Sequence, residues 1–213
     1  IRKDGSRFFI EANAEILRDH DGKPRELFFI NRDITERKQT EAKLRSLSVA
    51  VEQGPVSVVI TDPRGTIQYV NPCFSAVTGY EADEVIGGTP RLLKSGLTEQ
   101  AVYTSLWSTL LEGKTWAGEF INKRKNGELF WEEAHIAPVF DSAGTVLQYV
   151  AVKLDITARK KVEEQVTHLA QYDALTDLPN RTLFSELLLQ ALASAQRENN
   201  CLALMFVDLY RIK

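Results

Sequence analysis

Few residues of this chain combine a chemically useful side chain with a telling position. Asp208 follows an apolar run, Leu202 to Val207, and an acid at the carboxyl end of such a strand can ligate Mg²⁺ where phosphate substrates are handled. No second acid accompanies it, so the residue alone also fits a solvated strand end. Trp107 lies in a helical pattern and Asn122 near the end of a strand. An indole packs against flat ligands or simply fills core, and a carboxamide both donates and accepts or merely finishes a strand before a turn. Neither type is specific to a ligand. Asp155 and Thr157 sit where strand gives way to helix, and either oxygen can cap free backbone N–H groups, with Thr157 the simpler N-cap. His20, His135 and His168 are scattered and form no metal or nucleophile constellation. Cys73 and Cys201 lie far apart and read as free thiols rather than a disulfide.

Composition narrows the classes further. The 213 residues have room for one large or two small cores, and 44% apolar with 26% charged is ordinary for a globular chain. A net charge of −3, with acids and bases interspersed, gives no electrostatic case for nucleic acid or an anionic membrane. No apolar stretch approaches the ~20 residues of a membrane-spanning helix, and nothing resembles a signal peptide, so a cytoplasmic location is expected.

The elements that must position these residues emerge from an internal repeat. Shifted by 122 positions, Arg2-Lys3-Asp4-Gly5 falls on Arg124-Lys125-Asn126-Gly127, Gly22 on Gly144, and Asp33-Ile34-Thr35 on Asp155-Ile156-Thr157. Arg37-Lys38 likewise falls on Arg159-Lys160. Each copy reads as a turn, a long strand, a turn, a second strand and a polar helix. In the second copy Asn126-Gly127 readily takes positive φ, residues 129–140 make the long strand, and 146–154 the next. Two strands alone cannot bury a core, so residues 1–34 are expected to close a first domain whose opening is absent.

One complete domain lies between the copies. Leu44, Leu47 and Val51 predict a helix over 41–52, which Gly54-Pro55 breaks. Strands over 56–61 and 66–70 flank the turn Asp62-Pro63-Arg64-Gly65. Short helices over 72–78 and 81–86 precede the loop Gly87 to Pro90. A longer helix over 99–112 carries Val102, Leu106, Trp107 and Leu110 along one broad face, and a strand from Glu119 to Lys123 leads into the repeated hairpin. The order predicts an α+β domain, an antiparallel sheet with short helices on one face.

That order resembles the PAS fold, and the motifs agree. Asp62-x-x-Gly65-x-Ile67-x-Tyr69-Val70-Asn71, Phe74, Thr78-Gly79-Tyr80 and Ile86-Gly87 resemble its front half. Arg124 to Gly127 and Asp155-Ile156-Thr157 resemble its back half. The resemblance implies the closing strands of a first PAS domain at 1–34, a linker helix at 35–47, a complete PAS domain at 48–157 and a second linker helix at 158–172. It also implies that Asp155 and Thr157 relay signal from sheet to outgoing helix. Residues 173–213 resemble the α/β start of a GGDEF domain, on Asp173 to Arg181, Phe184 and Met205 to Lys213. Here a helix through residue 197, with Leu183, Leu187 and Ala191 on its buried side, precedes a strand over 202–207. The resemblance implies that Asp208 holds Mg²⁺ in a complete domain whose substrate is GTP. Asp177 stands where that family often has glycine, and Tyr210 where it usually has a second acid.

Arg91-Leu92-Leu93-Lys94-Ser95-Gly96, Leu106-Trp107, Trp116-x-Gly118-Glu119 and Asn122-Lys123-Arg124-Lys125 resemble the flavin-containing PAS domains of redox regulators. This implies FAD held noncovalently, with Trp107 near the rings and Asn122 at the polar edge of the isoalloxazine. Flavin photoreceptors of the same fold carry a cysteine in the loop after the short helices. Thr89-Pro90 stand there, which argues against a covalent photocycle, and the lack of histidine between residues 21 and 134 argues against histidine-ligated haem.

Val162, Val166 and Leu169 fall on one seam, as do Leu44, Leu47 and Val51. The first either packs on its own domain or pairs across a homodimer, and so short a coiled coil needs help from adjacent domains. Two function classes follow. One is a bacterial sensor whose PAS domain reads redox state or a small ligand and sets the output of a GGDEF domain joining two GTP molecules into cyclic di-GMP. The other is a ligand-free PAS dimerisation module upstream of an inactive GGDEF domain. This chain, incubated with Mg²⁺ and GTP, is expected to make no cyclic di-GMP, because about forty residues of GGDEF sequence are too few to enclose the nucleotide. Chromatographic detection of the product would overturn that expectation.

Overall fold

The repeated segments fold as two hairpins of one register. In the computed structural model, which describes residues 3, 5–19, 21–205 and 207, the first hairpin is β1 (Ile10–Arg18) paired antiparallel with β2 (Pro24–Asp33). There follow α1 (Thr35–Glu52), β3 (Ser57–Thr61), β4 (Ile67–Val70), α2 (Pro72–Thr78), α3 (Ala82–Val85), a 3₁₀ turn (Pro90–Leu93) and α4 (Gln100–Leu111). Then come β5 (Trp116–Lys123), β6 (Leu129–Phe140) and β7 (Val146–Asp155). Ile10 opposite Asp33 recurs as Glu132 opposite Asp155, and the irregularity between Leu17 and Arg18 recurs between Val139 and Phe140. The turns match too. Asp19 Oδ1 accepts from the N–H groups of Asp21 and Lys23, and Asp141 Oδ1 from those of Ala143 and Thr145.

What differs is the company each hairpin keeps. β1 and β2 form a two-stranded sheet with every residue exposed, whereas β6 and β7 sit inside a five-stranded antiparallel sheet of order β4-β3-β7-β6-β5. One apolar cluster joins that sheet to α2, α3 and the 3₁₀ turn through Val59, Ile67, Val70, Phe74, Val85 and Leu93. A second joins it to α4 through Leu106, Leu110, Trp116, Phe120, Ala134 and Tyr149. This is the α+β architecture expected.

A single buried amide ties three elements together. Asn71, 1% exposed, is the N-cap of α2. Its Oδ1 accepts from the N–H groups of Val58 at 2.8 Å and Phe74 at 3.2 Å. Its Nδ2 donates to the carbonyls of Val51 and Val56, each at 2.9 Å. Nearby, the Tyr69 hydroxyl donates to the Glu52 carboxylate at 2.5 Å, and burial together with that bond pushes the phenol up to about 12.

Some boundaries differ from expectation. The helix expected over 41–52 runs unbroken from Thr35, so the division expected between residues 47 and 48 falls inside it; no glycine or proline interrupts that stretch. β5 starts at Trp116 rather than Glu119, because Trp116 pairs with Ile136 and extends the ladder.

The chain divides into residues 1–155 and residues 156–213. Within the second unit are α5 (Thr157–Gln171) and α6 (Arg181–Glu198). The loop between them is ordered by Asp173 Oδ1, which accepts from the Thr176 hydroxyl and from the N–H groups of Leu175 and Thr176; these bonds hold its carboxyl below the usual range. Asn180 caps α6 by accepting from the N–H groups of Thr182 and Leu183. Leu187, expected on the buried side of α6, is exposed, while Leu183 and Ala191 are half-buried. The described residues between 202 and 207 form no strand, since the described part of this unit offers no neighbouring strand to take the ladder hydrogen bonds. Asp208 and Tyr210 lie outside the described residues.

Asn71→Ala is expected to destabilise the domain by about 3 kcal/mol or more, because it strands several buried backbone groups at once. A lower urea midpoint with an unchanged m-value checks this.

Candidate ligand pocket

Apolar residues of α4 and the inward residues of the sheet enclose a cavity of roughly 370 Å³, a size suited to a small molecule. Leu106, Trp107 and Leu110 line it from α4, Phe120 from β5, Ile136 from β6, Tyr149 and Ala151 from β7, and Val59 from β3. Aromatic contacts fix the walls. Trp107 meets Tyr149 edge-on at 6.2 Å, and Phe120 lies 5.1 Å from Trp116 and 5.7 Å from Tyr103. Gly118 leaves room for the Trp116 ring, since a Cβ there would come within 2.4 Å of it.

The inner end is polar. Period-two alternation puts Asn122 of β5, Glu132 of β6 and Lys153 of β7 on the helix-covered face. Glu132 pairs with Phe120 across one ladder and with Asp155 across the other, so Asn122 and Lys153 are its diagonal neighbours. Its Oε2 accepts from Lys153 Nζ at 2.7 Å and Asn122 Nδ2 at 2.9 Å, while Oε1 is buried without a partner. The Lys153 and Glu132 side chains are 7% and 1% exposed. Asn122 and Lys153 both line the cavity.

The rim carries Arg64, Arg91 and Lys94, all exposed, beside Thr89 and Pro90. The segment after the 3₁₀ turn is stitched to β5: Lys94 bridges to Asn122, and Ser95 Oγ and Thr98 Oγ1 donate to the Ile121 carbonyl. Thr98 Oγ1 also accepts from the Ile121 N–H at 2.9 Å.

Just beyond β5, Arg124 joins the sheet to its exit. Its Nη2 donates to Asp155 at 2.6 Å, its Nη1 donates to the Val77 carbonyl of α2, and its guanidinium lies 4.5 Å from the Phe130 ring centroid. Asp155 ends β7 and Thr157 opens α5.

Sequence spacing thus meets the structure unevenly. Trp107 and Asn122 share one cavity, with Trp107 40% exposed rather than closed in the core and Asn122 buried at 6% rather than a bare strand end. Asp155 is engaged by Arg124, but Thr157 is not the N-cap of α5; Ile156 is. Glu132 and Lys153 were not singled out. The signal for them was available: Glu132 stands between Phe130 and Ala134, and Lys153 follows Tyr149 and Ala151, at the inward positions of their strands. Among the described residues no cluster of histidine, cysteine and acidic side chains is placed to hold a metal, and no helix is long and apolar enough to cross a membrane.

Comparison with known proteins agrees with this architecture. The family model described as PAS domain matches residues 1–36 and 55–158, and that described as diguanylate cyclase, GGDEF domain matches residues 170–213. A nitrogen fixation regulatory protein from Klebsiella oxytoca is 35% identical over 131 residues, covering 61% of this chain and 26% of that protein. The chain therefore spans about a quarter of the length of the curated relatives it matches. An RNA-binding light-oxygen-voltage receptor of solved structure is 30% identical with a TM-score of 0.55, over 62% of this chain and 38% of the receptor. The PAS domain of a protein from Colwellia psychrerythraea, at 22% identity and a TM-score of 0.52, covers 55% of this chain and 99% of that domain and shares its fold.

Proposed function

Because this chain belongs to the PAS domain family and carries a GGDEF domain segment, we propose that its pocket holds FAD noncovalently and that the redox state of the bound ring sets the output of the GGDEF domain. The observation that carries this reading is an aromatic and aliphatic slot ending on a buried amide and a buried ammonium. A flavin needs such a slot for its rings and donor and acceptor groups for the polar edge. The bound group supplies reversible electron transfer; the chain supplies the rest. Trp107 and Tyr149 wall the ring space, Asn122 meets the polar edge, and the exposed cations at the rim suit phosphate groups. Thr89 and Pro90 line the cavity and Cys73 does not, which favours a noncovalent signal.

Asn122 lies near the end of β5 and Arg124 just beyond it, and Arg124 grips Asp155 at the end of β7. A changed hydrogen bond at Asn122 therefore has a short path to the residue that precedes the outgoing helix. Val162, Val166 and Leu169 are 57%, 61% and 64% exposed, and Leu44 and Leu47 are 62% and 56%. Exposed seams of this kind support a parallel homodimer in which helix geometry presents two GTP-bound GGDEF domains to each other. Asp208 is the proposed Mg²⁺ ligand in that output domain, which would make cyclic di-GMP.

The purified chain, denatured after mild isolation, is expected to release FAD identifiable by chromatography. A colourless protein that also takes up no added FAD would sink the flavin reading. For the dimer, Leu44→Glu and Val166→Glu are expected to lower the sedimenting mass from dimer to monomer. An unchanged dimer, or a wild type monomeric at high concentration, speaks against the helical interface.

A further inference from the structure

The repeated hairpin supplies an internal control for the buried charges of the pocket. β1 and β2 keep the register of β6 and β7, yet Ile10 stands where β6 has Glu132, and Asn31 where β7 has Lys153. Strand pairing therefore does not require the ion pair. Burying two charges carries a desolvation cost that only full satisfaction offsets, and apolar residues of like volume commonly serve a fold as well or better. Satisfaction here is incomplete, because both donors converge on Glu132 Oε2 and leave Oε1 without a partner. An ammonium has three N–H donors, and that of Lys153 lines the cavity.

We infer that Lys153 is the specificity-determining residue of this pocket, a buried cation directed at an occupant that gains negative charge, and that Glu132 is its positioning residue. The inference rests on the flavin reading above. Two-electron reduction of the ring by dithionite, with uptake of one proton from water, leaves one net negative charge on it. Lys153 favours that reduced anion over the neutral oxidised ring, because a cation in a buried wall acts on developing charge with little screening. Glu132 partly offsets the cation, so the two residues push the midpoint potential in opposite directions.

The test uses the purified chain loaded with FAD, titrated with dithionite against a reference dye, and a separate fluorescence measurement of oxidised FAD affinity. Lys153→Met is expected to weaken binding of the reduced form about a hundredfold more than binding of the oxidised form. That is a fall of ~60 mV at ~30 mV per tenfold for a two-electron couple. Lys153→Arg, which keeps the charge, is expected to retain the wild-type potential, and Glu132→Gln to raise it. Potentials that stay at the wild-type value in Lys153→Met, or that move the same way in Lys153→Met and Glu132→Gln, overturn the inference while the flavin reading stands. A wild type that takes up no FAD overturns both.

Discussion

The register between β6 and β7 is the constraint on which both the pocket and its exit depend. With Glu132 opposite Asp155 and Ala134 opposite Lys153, the residues Phe130, Glu132, Ala134 and Ile136 share a face with Tyr149, Ala151 and Lys153. A slip of one position in β6 would turn Trp131 and Glu133 inward, and one in β7 would carry Lys153 out of the cavity. The same register brings Asp155 to the end of the sheet where Arg124 reaches it. Cavity wall and strand exit therefore belong to one ladder.

Around that ladder the domain separates rigid core from open pocket. Asn71 satisfies backbone groups of α1, β3 and α2 at once, which fixes the end of the sheet away from α4. The α4 side is packed by large rings that do not fill the space between them, and a cavity remains. Packing of this kind leaves a cavity beside an intact sheet. The polar triad at its inner end sets charge among apolar contacts, and its Oε1 is buried without a partner.

The two hairpins show how one backbone plan can serve different ends. Each leads to a helix whose cap position is an isoleucine with nearly the same φ, −111° at Ile34 and −108° at Ile156. In the first copy Asp33 accepts from the Thr35 N–H at 2.9 Å. Both outgoing helices leave leucine and valine exposed along one side.

Much of this was legible in the residues themselves. The repeat, the Asn126-Gly127 turn, the alternation over 129–140 and the helical spacing over 99–112 are local patterns, and local patterns set the elements. They also brought out Trp107 and Asn122, because motifs record residue type and order. The boundaries that shifted did so for non-local reasons: Trp116 joined β5 only because Ile136 was there to pair with it, and residues 202–205 formed no strand without a neighbour. Glu132 and Lys153 are the clearest case. They are separated along the chain by the β6–β7 turn, and each alone looks like a surface charge on a strand. Only the ladder register makes them diagonal neighbours, and only the helices packed across that face bury them, since burial depends on contacts that sequence spacing does not encode.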